Sequence, residues 1–289
     1  NVFNVSGTSN FNNLHFRNCV FKDSNGKDSS ISISGNNQST NVSVKRCVFD
    51  SNGDFRVTFK NCTDIDFIGN MMLTTGGTNP KLIRVFTGCS GVININSNSS
   101  SLPNQGSTFY CLDLDSPISG GGTVNIIGNK IKCAENCVRV KGGTELSPIT
   151  LNIQFNEIVS GGNGIDTIEF IDGGVCESNQ VTSSGANCIG LPFDATFSGA
   201  YSVKNMTIKN NIVNGIGVAG HGLLFGERSE NQTVFNNYSN TEINGRHSIV
   251  IKGKDHKVYE NIFYSGDSDG VYLKGVDNSE VYKNIIICN

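Results

Sequence analysis

The chain has 289 residues, of which 34 are Gly, 5 are Pro and none is Trp; 16% are charged and the formal net charge is −3. Near-neutral charge with few basic clusters sets nucleic acid aside as a partner, and no run of about 18 apolar residues is present to cross a membrane. The composition is too rich in Gly and Asn for a helical protein, yet at 37% apolar it can fill a core.

In chain order, one six-residue phrase returns: an apolar residue, two variable ones, Asn or Cys, a variable one, then usually another apolar one. Its fourth position falls at Cys19, Cys47, Asn70, Asn98, Asn129, Asn156, Asn179, Asn211, Asn237, Asn261 and Asn284. The steps run from 23 to 32 residues and average about 26, a solenoid period. Apolar spacing inside the phrases is two, as in Val271 and Leu273, which predicts strands and sets helical repeats aside. A second column of short apolar strands precedes the phrases, among them SISISG, KLIRVFTG, CVRVKG, GLLFG and VYLKG. Each repeat therefore reads as strand, turn, strand, Asn turn, strand and a connection of variable length. Stacked in parallel at about 4.8 Å, eleven such coils give a rod of roughly 50 Å.

Asn suits a sharp inward turn because it tolerates left-handed backbone angles and its amide can bond to the Asn of the next coil. Cys19 and Cys47 hold that slot in the first two coils, where the ladder consists of thiols. The expectation is a single all-β domain over 1–289, a parallel solenoid of about eleven coils lacking one or both terminal caps. Most of the ten Cys fit the coil interior as small apolar residues, while Cys133 with Cys137, or Cys19 with Cys47, could form a disulfide.

Repeats and Asn ladder together resemble the right-handed parallel β-helix superfamily, the pectate-lyase-like group of polysaccharide lyases, polygalacturonases and phage tailspikes. The resemblance implies an acidic or complex polysaccharide lying along the outer face of the first-strand column. It also implies an extracellular, secreted or virion-surface location, and a homotrimer or end-to-end association as the assembly. On that face, alternation turns Arg56, Thr58, Lys60, Arg84, Asp113, Asp115, Arg139, Lys141, Asp166, Thr167 and Glu169 outward, with the register at Asp166 to Glu169 open by one. Further on come Lys252, Tyr272 and Lys274.

Asp113, Asp115, Arg139, Lys141 and Glu169 are the candidate catalytic residues. Two coils would separate the carboxylates by about 9 to 10 Å, the upper edge for an inverting glycosidase. Alternatively, in a lyase the carboxylates would hold a calcium ion against a uronate while Arg139 or Lys141 takes the proton α to it. No other cofactor is expected. Gly220-His221-Gly222 matches a polygalacturonase string, but the paired Asp-Asp of that family occurs nowhere, and His221 reads as a turn residue. Asp255-His256 reads as a solvent-exposed turn, and Asp267-Ser268-Asp269-Gly270, half a calcium loop without the downstream Glu, as a plain turn. Enzyme, adhesion rod and fibre-forming structural protein all remain open from the sequence, with the region of His221 and Lys252 the next site to consider.

Overall fold

Alternation along each short strand decides what fills the interior. In Ile149–Gln154 the side chains of Ile149, Leu151 and Ile153 are buried, while Thr150, Asn152 and Gln154 lie half-buried on the outside. The preceding coil sets Val124 beside Leu151 and Ile126 beside Ile153, so one coil's apolar residues stand directly on the next. Paired aliphatic residues of this kind are the unit of sheet stabilisation, repeated here from coil to coil. A computed structural model of the chain describes residues 3–6, 11–22, 30–50, 55–73, 81–102, 110–114, 118–191, 201–216, 220–242 and 246–289.

All described elements are strands, paired in parallel from coil to coil. The third strands form an 11-stranded sheet from Val20–Lys22 to Ile285–Cys288. First and second strands merge into one 21-stranded sheet, because Ile31–Lys45 and Phe55–Ile68 run unbroken round the corner between the two faces. The chain is thus a three-faced parallel β-helix. The turns that carry an asparagine rung number about nine, against the eleven phrases counted in the sequence, because Cys19 and Cys47 take that slot at the start.

The ladder is continuous from Asn70 to Asn284. Asn98 Oδ1 accepts from the backbone N–H of Asn70 at 2.9 Å and from its Nδ2 at 3.0 Å, and Asn129 serves Asn98 in the same way. Asn156 Nδ2 donates to the Ile126 carbonyl at 2.8 Å, which ties the rung to the strand of the coil before. A side chain whose oxygen accepts twice and whose amide donates twice satisfies four groups in an otherwise dry corner, as at Asn98. At the lower end Cys47 N–H still donates to Asn70 Oδ1 at 3.0 Å, while the Cys47 thiol reaches the Lys45 carbonyl at 3.5 Å and meets Cys19.

Left-handed backbone was expected at the Asn itself and lies one residue earlier. Asn18, Arg46, Ser97, Phe155, Ser178, Asn210, Asn236, Glu260 and Lys283 have φ between 53° and 57°, and Gly69 and Gly128 have 66°. The physical reason is a division of labour. The outer residue makes the chiral kink, and the inner Asn keeps an extended backbone that aims its amide along the stack.

Other expectations are corrected by burial. Arg56 and Thr167 are fully buried rather than outward. Thr167 follows Val140 in register and shares its inward direction, which resolves the frame around it: Asp166 is the outward residue. His256 is fully buried too, not part of an exposed turn. Its Nδ1 accepts from the Gln232 N–H at 3.1 Å and its Nε2 lies 2.8 Å from the Lys252 carbonyl, so the neutral imidazole forms a rung of its own. All ten cysteines are unpaired thiols, and only Cys288 is exposed.

Candidate functional site

Register sets Arg84, Asp113, Arg139 and Asp166 in one outward column on consecutive coils. Like and unlike charges meet there at the 4.8 Å strand spacing, and the cluster closes on itself. Asp113 is fully buried. Its Oδ1 accepts from Arg139 at 2.7 Å and its Oδ2 pairs with the nearly buried Lys81. Tyr110 donates to Asp166 at 2.7 Å, and the Arg139 guanidinium lies 4.9 Å from the Tyr110 ring centroid. Burial raises the Asp166 carboxyl, with the Tyr110 hydrogen bond and Arg139 opposing; burial and the Asp166 charge push the Tyr110 phenol above its usual range.

The five residues picked from the sequence do not converge: Asp113 meets Arg139, and Lys141 meets Glu169 separately. Glu169 lies past the end of Ile165–Ile168 at φ 60° and pairs with Lys141 at 3.5 Å, apart from Asp113. The residue two rungs from Asp113 is Asp166, not Glu169. Asp115 lies outside the described residues. With each carboxylate oxygen of Asp113 already held by a cation, the expected outward acid is a tie between coils.

A second corner builds a different site. Asn163 N–H donates to Asn136 Oδ1 at 2.6 Å, Asn187 N–H to Asn163 Oδ1 at 3.2 Å, and His221 N–H to Asn187 Oδ1 at 3.2 Å. This short asparagine run ends on His221, and the next coils continue the column with rings. His221 stacks on His247 at 5.4 Å, and His247 on Tyr272 at 4.4 Å. The flanking glycines are required by close approach: a Cβ on Gly220 would sit 1.8 Å from the Ala186 carbonyl oxygen, and one on Gly222 2.0 Å from Ser239 Oγ. Gly-His-Gly is therefore a packing solution that fixes His221 against the coil before it.

These rings line an open cleft of about 400 Å³ with Leu224 and Val250 beside them. Arg246, Lys252 and Lys274 also line it, a strongly cationic set. Lys252 is nearly buried, and its Nζ lies 3.6 Å from the exposed Glu227 carboxylate. His247 Nδ1 is 3.0 Å from Ser268 Oγ and 3.4 Å from Asp269, so the string read as a plain turn fixes this ring. His221 Nδ1 is buried with no hydrogen-bond partner among the described residues. Burial, then the charges of His247 and Arg246, push His221 down to about 4, so it is neutral at neutral pH. The three cations can bind an anion, and the neutral imidazole beside them can accept a proton from it.

One sequence signal marks this cleft. His221, His247 and Tyr272 are separated by 26 and 25 residues, the coil period itself. Among the described residues no group of three or more His, Cys, Asp or Glu side chains could hold a metal ion.

No protein-family profile and no curated sequence matches the chain. Among solved structures, a mutant of the periplasmic alginate epimerase AlgG is 9% identical with a TM-score of 0.44, over 88% of this chain and 74% of its own. The A-module of the Azotobacter vinelandii mannuronan C-5 epimerase AlgE6 is 12% identical with a TM-score of 0.35, over 94% and 77%. PfbA, a surface adhesin of Streptococcus pneumoniae, is 12% identical with a TM-score of 0.39, over 90% and 70%. At these scores the likeness identifies no activity, ligand or residue for this chain.

Proposed function

We propose that the chain binds an anionic polysaccharide, a polymer containing uronate, along the outer face of the first-strand sheet, and that the cleft around His221 acts on it. Such a ligand places the protein outside a cell or on a virion surface. Arg246, Lys252 and Lys274 hold the sugar carboxylate and draw charge from the carbon α to it. His221 takes the proton from that carbon, and the Tyr272 phenol is the acid available in the same cleft. The observation that carries this reading is the neutral His221, with an unsatisfied ring nitrogen, set among three cationic side chains.

The test is a panel of uronate-containing and neutral polysaccharides, measured for binding by calorimetry and for turnover by two readouts. Ultraviolet absorbance detects an unsaturated uronate, and proton exchange from deuterated water detects abstraction without cleavage. Binding of uronate polymers with exchange or elimination that is lost in His221→Ala supports the proposal. Binding with neither signal makes the rod an adhesive module. Equal binding of neutral polymers removes the cationic cleft as the site.

A further inference from the structure

Three thiols meet at the corner where one coil ends and the next begins. Cys111 lies in Tyr110–Leu114, Cys133 ends Lys130–Cys133, and Cys137 lies in Asn136–Lys141. Pairing of Tyr110 with Asn136 sets Cys111 and Cys137 on neighbouring rungs of one sheet. Cys133 approaches from the third-strand sheet, and its thiol contacts both of the others. Cys111 and Cys137 are fully buried and Cys133 is 4% exposed.

The slot of Cys133 has a defined job in the coils that follow. Ser160 and Ser183 succeed it in register. Their hydroxyls donate at 2.8 Å to the carbonyls of Asn163 and Ala186, fastening the end of the third strand to the corner. At Cys133 a thiol faces thiols in place of that fastening.

We propose that Cys133 and Cys111 form a disulfide in an oxidising environment, fastening the ends of one coil covalently. Cys111 and Cys137 are in-register neighbours whose parallel side chains do not reach a torsion near 90°, whereas Cys133 and Cys111 come from two faces that meet at an angle. Cys137 is the thiol left over, and its S–H is directed at the Val159 carbonyl at 3.3 Å. With a small-molecule disulfide such as oxidised glutathione as oxidant, the Cys133 thiolate attacks one glutathione sulfur and releases the other as a thiol. The Cys111 thiolate then attacks the Cys133 sulfur of the mixed disulfide and releases the second glutathione thiol. Two electrons and the two protons of the protein thiols end on two glutathione molecules. Because the three thiols are buried once the coil has closed, the exchange belongs to folding rather than to the finished rod.

The experiment is refolding of the full chain from denaturant with a glutathione couple or with excess dithiothreitol, followed by alkylation, digestion and peptide mapping. The expected oxidised product links the peptides bearing Cys111 and Cys133, leaves the other thiols alkylated, and melts at a higher temperature than the reduced protein. Cys111→Ser removes both the link and the difference in melting temperature, while Cys62→Ser leaves both. Cys133→Ser, which restores the residue type of the next two coils, gives a second variant should Cys111→Ser not fold. Ten alkylated thiols in natively refolded oxidised protein, or a link from Cys133 to Cys137, overturns the assignment.

Discussion

His221 and His247 stack one coil apart with ring centroids 5.4 Å apart and planes within 8°. His247 is held by its own contacts, Nδ1 lying 3.0 Å from Ser268 Oγ and 3.4 Å from Asp269. Burial holds His221 down, and the charge of His247 adds to that, since two imidazoles at this distance cannot both be cations without repulsion.

For that reason, any binding or turnover that needs neutral His221 should persist well below the usual histidine range and fall off near pH 4. Asp269→Asn, by weakening the hold on His247, should move that acid limb with little effect on folding, since Asp269 is largely exposed. An acid limb centred on the ordinary histidine value of 6.5 in the unmodified protein would show that His221 is not the group involved.

Stability should follow the same histidines. His221 and His256 both have folded-state values below 6.5, so under acid conditions the unfolded chain takes up protons that the folded one refuses. Their contribution is complete above pH 6.5 and is lost as the pH falls below that value, for His221 down to about 4. Urea midpoints at pH 7.5 and pH 5 should therefore differ in the wild type, and His256→Gln should narrow the gap between these roughly chosen points.

Asn156→Leu should cost about 3 kcal/mol or more. Asn156 Oδ1 accepts from both the backbone N–H and Nδ2 of Asn129 at 2.9 Å, and both donors would be left buried without an acceptor. Asn152→Ser, on the outer face of the same coil, should cost less than about 1 kcal/mol because water can replace the Asn125 contact. Equal urea midpoints for the two variants would place Asn156 on the surface.

Phe155→Asn should stabilise by about 0.5–1 kcal/mol. A bulky residue at φ 56° is strained, and at 60% exposure the ring contributes little burial. A lower melting temperature in the variant would show that the ring packs better than its exposure indicates.

Arg139→Ala should destabilise by about 3–5 kcal/mol, because buried Asp113 would be left with Lys81 alone. Adding Asp113→Asn should recover part of the loss. Uronate binding per folded molecule should not change in either variant, and a specific loss of binding would return the site to the middle of the rod.

Most of the architecture was legible because a strand solenoid writes its geometry as a period, and the phrase around each ladder Asn repeats often enough to fix it. Asn98 and Asn156 could be placed inward from spacing alone. Burial of Asp113 could not, since the sequence shows which column a residue occupies but not what covers it. Lys81, which neutralises Asp113, lies 32 residues earlier in a strand read only as apolar. Glu169 was misplaced because alternation ends at Ile168 and the chain turns, so counting by two carries past the strand. His221 looked like a turn residue when read locally. Only its coil-period relation to His247 and Tyr272 sets it in a cleft.

The kink that precedes each ladder position has an evolutionary reach. Chirality is set by a residue on the outside and cohesion by its neighbour on the inside, so the outside one is free to vary wherever its backbone strain is tolerated. Arg46, Phe155, Ser178, Glu260 and Lys283 already fill it with charge, aromatic ring and hydroxyl. Along that edge the rod presents one interchangeable side chain per layer. New surface properties can be written there in single steps while the interior stays unread and unaltered.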